Sequence, residues 1–379
     1  MSKLVNFIYW LRIFNALSEQ KITMKKSAIF VIFNQSRHFS NVCRGLRTRP
    51  LEKLESKPNE NEKVVKIAVI GPPNAGKSTF INKLLNHRIC ATSPKVHTTR
   101  TFAKAIGIRN NSQVILFDTP GLVTEKEMKK FNLSHEFVSA CRHSIQHSDL
   151  IAVIHDVSKS WTRNHLHSTV LNTLKEYTNI PSILVLNKVD LIKSKRILLD
   201  VTKSLTQNTL LPKGFRRPKD LSKEEHQVKN DNEEVVGWPH FSNVFMVSSA
   251  DGDGMSEVMK YILRHGKTKK WEYEKNEYTD LPPEELIVQS VRARLLEALP
   301  QEMPYLLKCE IEYFSEEKGH VFTSVLVTCP TERIEHLVCG TEKERIKHIT
   351  ELATSDLVQT FQKPVSLTVS LNSQRKKIK

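Results

Sequence analysis

No stretch of this sequence stays apolar for long enough to cross a bilayer. Arg12 interrupts the longest candidate, and residues 28–33 give only six apolar positions where a spanning helix needs roughly 20. That run is also short for a secretory leader. Cysteine is sparse and unclustered. Cys43, Cys90, Cys141, Cys309, Cys329 and Cys339 form no CxxC pair, which argues against a zinc cluster and a disulfide framework and leaves reduced core thiols. No repeat of solenoid period is present. Acid is nearly missing from the first fifty positions, where Glu19 stands alone against nine Lys and Arg.

The 379 residues give room for about two domains. A hydrophobic share of 39% and a charged share of 26% exclude disorder of the whole chain. The net charge of +16 is unevenly spread: +8 over residues 1–50, −1 over 51–63, +13 over 64–270, −8 over 271–374 and +4 over the last five residues. The basic, Ser-bearing, acid-poor start has the composition of a mitochondrial transit peptide. Arg37-His38-Phe39-Ser40 reads as a matrix-processing site with cleavage after Phe39, giving a transit peptide over 1–39. A basic arm, with Met24 as a second start, is the plainer alternative. Residues 40–63 read as a linker.

From Val64 onward short apolar runs (64–70, 114–117, 150–154, 183–186 and 244–247) alternate with helix-length segments such as 77–86 and 165–177. That rhythm predicts an α/β domain with a doubly wound, mostly parallel sheet over 64–270. A basic insertion interrupts it at 193–237. Ile197, Leu198, Val201 and Leu205 suggest a helical start, and residues 193–230 hold ten basic and four acidic residues. A solvated loop and an RNA contact fit it equally. After Trp271 the pattern becomes helix 284–299, strands 305–314 and 321–329, helices 332–337 and 343–361, and strand 365–371. That order predicts a small α+β domain over 271–371, followed by a basic tail at 372–379. Phe314, Phe322 and Phe361 read as core.

Four segments carry the chemistry, each at the end of a predicted strand. Gly71-Pro72-Pro73-Asn74-Ala75-Gly76-Lys77-Ser78, with Thr79 following, matches the P-loop pattern between a strand and a helix. Its glycines let backbone N–H groups face phosphate oxygens, Lys77 reaches the β and γ phosphates, and Ser78 ligates Mg2+. Asp118-Thr119-Pro120-Gly121 supplies a Mg2+-directed carboxylate and an amide that senses the γ-phosphate. In Asn187-Lys188-Val189-Asp190, the Asp190 carboxylate can accept from both N1–H and the 2-amino group of guanine, a pair adenine lacks. Ser249 and Ala250, after Ser248, place backbone N–H groups at guanine O6. Together these define GTP and GDP as ligands.

These residues resemble the translation-factor-like GTPases, and among them the Era family. Ser93-Pro94-Lys95-Val96-His97-Thr98-Thr99-Arg100 looks like the Era switch I segment. Trp161-Thr162-Arg163, Trp238-Pro239-His240-Phe241 and Leu299-Pro300-Gln301-Glu302 look like the mitochondrial members. The likeness spans about 64–371 and implies a P-loop GTPase domain followed by a KH-like domain. It also implies that Thr99, with Thr98 as the nearby alternative, joins Ser78 and Asp118 at Mg2+, and that Lys77, Thr99, Gly121 and Asn74 serve hydrolysis. An Asn at position 74 implies K+ coordination in place of an arginine finger, with loop bracing as the alternative. Leu122 stands where Ras-like enzymes carry a water-orienting Gln, so intrinsic turnover is expected to be slow.

For the second domain the resemblance places an RNA-clamping GXXG loop at Gly340-Thr341-Glu342-Lys343. The second glycine is replaced by Lys343, and Glu342 adds a negative charge. Lys347 and the tail residues Arg375, Lys376 and Lys377 complete the expected RNA-binding set. The implied partner is small-subunit ribosomal RNA near its 3′ end within an assembling mitochondrial small subunit. The implied setting is the mitochondrial matrix, with a monomeric chain and a peripheral inner-membrane contact. A GTP-liganded RNA chaperone with little turnover and a membrane-associated GTPase are the competing readings.

Overall fold

In the first sheet, alternate residues of each central strand enter opposite cores. The computed structural model describes residues 62–92, 103–119, 142–209, 236–300 and 303–373. Strand β1 (Lys63–Ile70) sends Val65, Ile67 and Val69 into one core and Val64, Ala68 and Ile70 into the other. Strands β3 (Ser112–Asp118), β4 (Leu150–Asp156) and β5 (Ser182–Asn187) are buried along their whole length. This two-sided burial explains their unbroken apolar character. Helices α1 (Lys77–Leu85) and α4 (Met255–Arg264) cover the first core through Phe80, Ile81, Leu84, Val258 and Ile262. Helices α2 (Ser168–Glu176) and α3 (Arg196–Leu205) cover the second through Val170, Leu174, Leu198, Val201 and Leu205.

The sheet order is β2-β3-β1-β4-β5-β6, with β2 at Ala103–Arg109 and β6 at Phe241–Val247. Strands β3, β1, β4, β5 and β6 run parallel, β2 is an antiparallel edge, and β7 (Lys267–Thr268) pairs antiparallel with β1. The chain winds outward in both directions from β1, so the carboxyl ends of β1, β3 and β4 flank the crevice where such sheets bind ligands. Strand β2 and helix α4 were not anticipated. The start of the insertion is indeed helical, as α3; residues 210–235 lie outside the described residues.

Beyond β7 the chain straps back along β2 and β3. Gln113 accepts from the Glu272 and Tyr273 N–H groups (2.8 and 3.2 Å) and donates to the Tyr273 carbonyl (2.8 Å). Lys104 binds Tyr273 and Asp280, and Ile106 N–H donates to the Tyr278 carbonyl.

The second unit of structure has the predicted α-β-β-α-α-β order: α5 (Pro283–Ala298), β8 (Lys308–Glu317), β9 (His320–Cys329), α6 (Glu332–Cys339), α7 (Glu344–Phe361) and β10 (Val365–Ser373). Its sheet runs β10-β9-β8, with β10 parallel and β8 antiparallel to β9. Helix α5 opens with proline and then Glu284 and Glu285, acids that complement the helix dipole. Ile287, Val291, Leu295, Val325, Val327, Ile349 and Leu357 form the core between helices and sheet. Two expectations shift. The strand expected from 305 begins at Lys308, because Met303–Leu306 forms a 3-10 turn. Phe322 is not core, because it lies on the outer face of β9, opposite Val321 and Thr323.

A polar clasp joins the two sheets' domains. His87, just after α1, donates from Nε2 to the Thr360 carbonyl (2.8 Å). Arg88 reaches the buried Asp356 of α7 at 2.8 Å, and Arg294 of α5 grips the same carboxylate with two bonds of 2.7 and 2.6 Å. Hydrogen bonding to Asp356 raises the Arg294 pKa, while burial lowers that of Arg88. Asn82 of α1 fixes the connecting segment by accepting from the Ile89 and Cys90 N–H groups and donating to the Cys90 carbonyl.

Candidate functional site

Between β1 and α1 the backbone turns back on itself. Gly71 has φ 155° and Gly76 φ 93°, and a side chain at Gly76 would collide with Asn187. Asn74 takes the left-handed region with φ 62°. Lys77 is buried and its Nζ donates to the carbonyls of Gly71 (3.1 Å) and Pro72 (3.0 Å), spanning the loop's mouth. Helix α1 has no side-chain cap and no acid in its first turn, which includes Ser78 and Thr79. Its terminal N–H groups are thus arranged for an anion.

Asp118 ends β3 opposite this helix. Ser78 Oγ donates to its Oδ2 at 2.9 Å, and Oδ1 is buried without a conventional hydrogen bond. The Cys90 thiol lies against the same carboxylate, and burial and that carboxylate push the thiol well above its ordinary pKa. Burial pushes the Asp118 carboxyl upward too, opposed by the Lys77 ammonium and the Ser78 hydroxyl. A buried, under-satisfied carboxylate beside a hydroxyl is a hard-oxygen set that fits Mg2+. The ion would neutralise phosphate charge, and Lys77 and the loop amides would orient the phosphates. Thr119 is buried and ties β3 to β1 through the Val69 carbonyl (2.5 Å).

The base-side residues are cross-braced. Asn187 donates to the Ala75 carbonyl (2.9 Å) and accepts from Ser249 N–H and Oγ (3.1 and 2.8 Å), linking the P-loop to the 248–250 segment. Lys188 donates to the Asn74 carbonyl (2.9 Å) and to Asp156 at the end of β4 (2.7 Å). Asp156 pays for burial, but hydrogen bonds from Lys188 and Ser158 bring its carboxyl below the usual range. Asp190 is exposed and makes no hydrogen bond or ion pair with the described residues, which leaves both oxygens for a base. Ala250 is exposed beside the buried Ser249.

The structure therefore brings together Gly71 to Thr79, Asp118, Thr119, Asn187, Lys188, Asp190, Ser249 and Ala250. Thr98, Thr99, Pro120, Gly121 and Leu122 lie outside the described residues. Asp156 and Asn82 went unnoticed in the sequence, and Cys90 was read only as a core thiol. An acid ending a strand buried along its whole length, as in Leu150–Asp156, is the signal that could have found Asp156.

In the second domain, Gly340 ends α6 with φ 76° and the expected loop lies between α6 and α7. Glu342 and Lys343 both have left-handed φ (51° and 63°), so Lys343 adopts the backbone that a glycine there would favour. Arg345 reaches back to the Leu337 carbonyl and closes the turn. Thr341, Glu342, Lys343 and Lys347 are exposed. Arg375, Lys376 and Lys377 lie outside the described residues.

The doubly wound sheet and this arrangement of loops define a P-loop GTP-binding domain, here followed by a KH-like domain. A family model described as a 50S ribosome-binding GTPase matches residues 66–188. The mitochondrial GTPase Era of Danio rerio is 35% identical over 342 residues, 83% of this chain and 76% of that protein. The GTPase Era of Sinorhizobium medicae is 28% identical over 302 residues, 79% of this chain and 85% of that protein. A crystal structure of Era with MgGDPNP and nucleotides 1506–1542 of 16S ribosomal RNA superposes with a TM-score of 0.65 at 23% identity, covering 83% of this chain and 95% of that one. The chain belongs to the Era family of GTPases and hydrolyses GTP.

Proposed function

We propose that this chain is imported into the mitochondrial matrix and couples GTP hydrolysis to binding of small-subunit ribosomal RNA near its 3′ end, during assembly of the small subunit. The observation that carries this reading is the exposed Gly340–Lys343 turn with Lys343 and Lys347, on a helix whose Asp356 is gripped by Arg88 beside the phosphate-binding helix. The basic start of the chain and the mitochondrial Era proteins of Danio rerio and Salmo salar support the compartment.

In this reading residues 1–39 are the transit peptide, 40–63 a linker, 64–270 the G domain, 271–371 the RNA-binding domain and 372–379 a basic tail. Thr99 completes the Mg2+ set with Ser78 and Asp118, and Gly121 senses the γ-phosphate. Asn74 holds K+, so hydrolysis is faster in KCl than in NaCl; equal rates remove that role. The chain acts as a monomer, and any inner-membrane contact is peripheral. RNA crosslinking in mitochondria tests the whole reading. The wild-type chain crosslinks to small-subunit rRNA, and Lys343→Glu or deletion of 375–379 weakens the crosslink. No crosslink from wild type overturns the reading.

A further inference from the structure

The motif Trp161-Thr162-Arg163 has no part in the nucleotide site, yet its structure is definite. Trp161 is 75% exposed, the highest value among the large hydrophobic side chains of the described residues. It caps a tight turn in which the Thr162 and Arg163 N–H groups both donate to the Lys159 carbonyl (3.3 and 3.1 Å). His155 of β4 pins that turn from below by donating to the Arg163 carbonyl (2.8 Å). The backbone that carries the exposed indole is therefore fixed.

Two neighbouring segments are fastened to this turn. The Lys188–Asp156 bond (2.7 Å) ties in the 188–192 segment, and Ser204 Oγ donates to the Asn164 carbonyl (3.1 Å), tying in α3. Val157, Leu166, Leu198 and Val201 share one buried cluster, against which Val189, Ile192 and Ile197 pack. On these fastened segments Lys159, Lys193, Lys195 and Arg196 are exposed and have no ion-pair partner among the described residues. Of the nearby acids, Asp200 pairs with Lys203, and Asp190 belongs to the guanine site.

We propose that this rim of the G domain is a second RNA-binding surface, which stacks an unpaired base on Trp161 and holds flanking phosphates on Lys159, Lys193, Lys195 and Arg196. Cations without ion-pair partners, on segments fastened to a turn that presents one exposed indole, match single-stranded RNA, whose bases all offer a stacking face. The charge distribution agrees: residues 64–270 carry +13 and residues 271–374 carry −8. A lipid surface fits less well, because the apolar side of α3 (Leu198, Val201, Leu205) is already consumed by the core, leaving Leu199 alone outside. A protein partner fits less well too. Beside one indole, Leu191 and Leu199 this rim is mostly charged, and the cores of protein interfaces are depleted in charge. The proposal rests on the RNA-binding reading above but places the contact on a different domain from Gly340–Lys343.

The test uses the full mature chain and a labelled single-stranded oligonucleotide with the 3′-terminal sequence of the small-subunit rRNA. Trp161→Ala weakens binding by about tenfold, within the range of base–aromatic stacking, and Trp161→Phe restores most of it. Lys193→Gln with Lys195→Gln lowers the slope of log K against log salt by about 0.7 per lost phosphate contact. GDP affinity stays unchanged in all of them. Wild-type RNA affinity in Trp161→Ala, beside a loss in Lys347→Glu, overturns this proposal and leaves the KH-like reading standing. Failure of the wild type to bind the RNA overturns both. Loss of binding to phosphatidylserine vesicles in Trp161→Ala, with RNA affinity intact, replaces RNA with lipid.

Discussion

Asp190 is the single residue on which the proposed nucleotide choice turns. Its exposed carboxylate has no partner of its own among the described residues, so in the proposed site both oxygens would be open to the base. Asp190→Asn should weaken GTP binding by about 100-fold and create affinity for xanthine nucleotide, as competition with a fluorescent nucleotide would show. Retained guanine preference would refute the assignment. Lys343 makes a second residue-scale case. A side chain with φ 63° sits where glycine is at ease, so Lys343→Gly should raise stability by about 0.5–1 kcal/mol, read from denaturant midpoints. The sequence revealed residues whose chemistry demands fixed types at fixed spacing, such as Gly76-Lys77-Ser78. It hid Asp156, whose role depends on Lys188 arriving from the next strand, and Asn82, whose side chain works by folding the chain back onto residues 89–90.

Among elements, strands buried on both faces were legible as apolar runs. The edge strand β2 was not. Its Ala-Lys-Ala-Ile-Gly-Ile-Arg sequence alternates weakly, and its pairing with β3 and the strap at Thr279 decides its conformation. The clasp between α1, α5 and α7 was equally invisible, since an arginine in a loop and an aspartate in a helix carry no mutual signature. Because Asp356 is buried between two arginines, Asp356→Ala strands Arg88 and leaves Arg294 only its pair with Glu297, and should cost about 3–5 kcal/mol. Arg88→Met leaves the bidentate Arg294 pair and should cost about 1–2 kcal/mol. Urea unfolding of both variants checks the ranking. The β4 turn adds a pH effect. Burial holds the His155 pKa below the usual imidazole value, so the folded state keeps it neutral while the unfolded chain takes a proton below about pH 6.5. Its stabilisation is present above that pH and lost as pH falls. The melting temperature should drop between pH 7.5 and 5.5, and less so in His155→Phe.

At the scale of the whole molecule, two chemistries are mechanically continuous. Helix α1 carries Lys77 and Ser78 at one end, clamps residues 89–90 through Asn82, and leads into His87 and Arg88, which hold the helix that follows the Gly340–Lys343 turn. In the proposed function, this short chain of direct contacts would let nucleotide and RNA bias one another. The charge pattern is uneven, with positive charge on the G domain and its appendages and an acidic second domain. Phosphate release from Mg·GTP by the full mature chain, with and without a 3′-terminal small-subunit rRNA fragment, tests this coupling most directly. The account predicts slow, GTP-specific turnover that the RNA changes severalfold in wild type and leaves unchanged in Asp356→Ala. Turnover that is indifferent to RNA in the wild-type chain would contradict it.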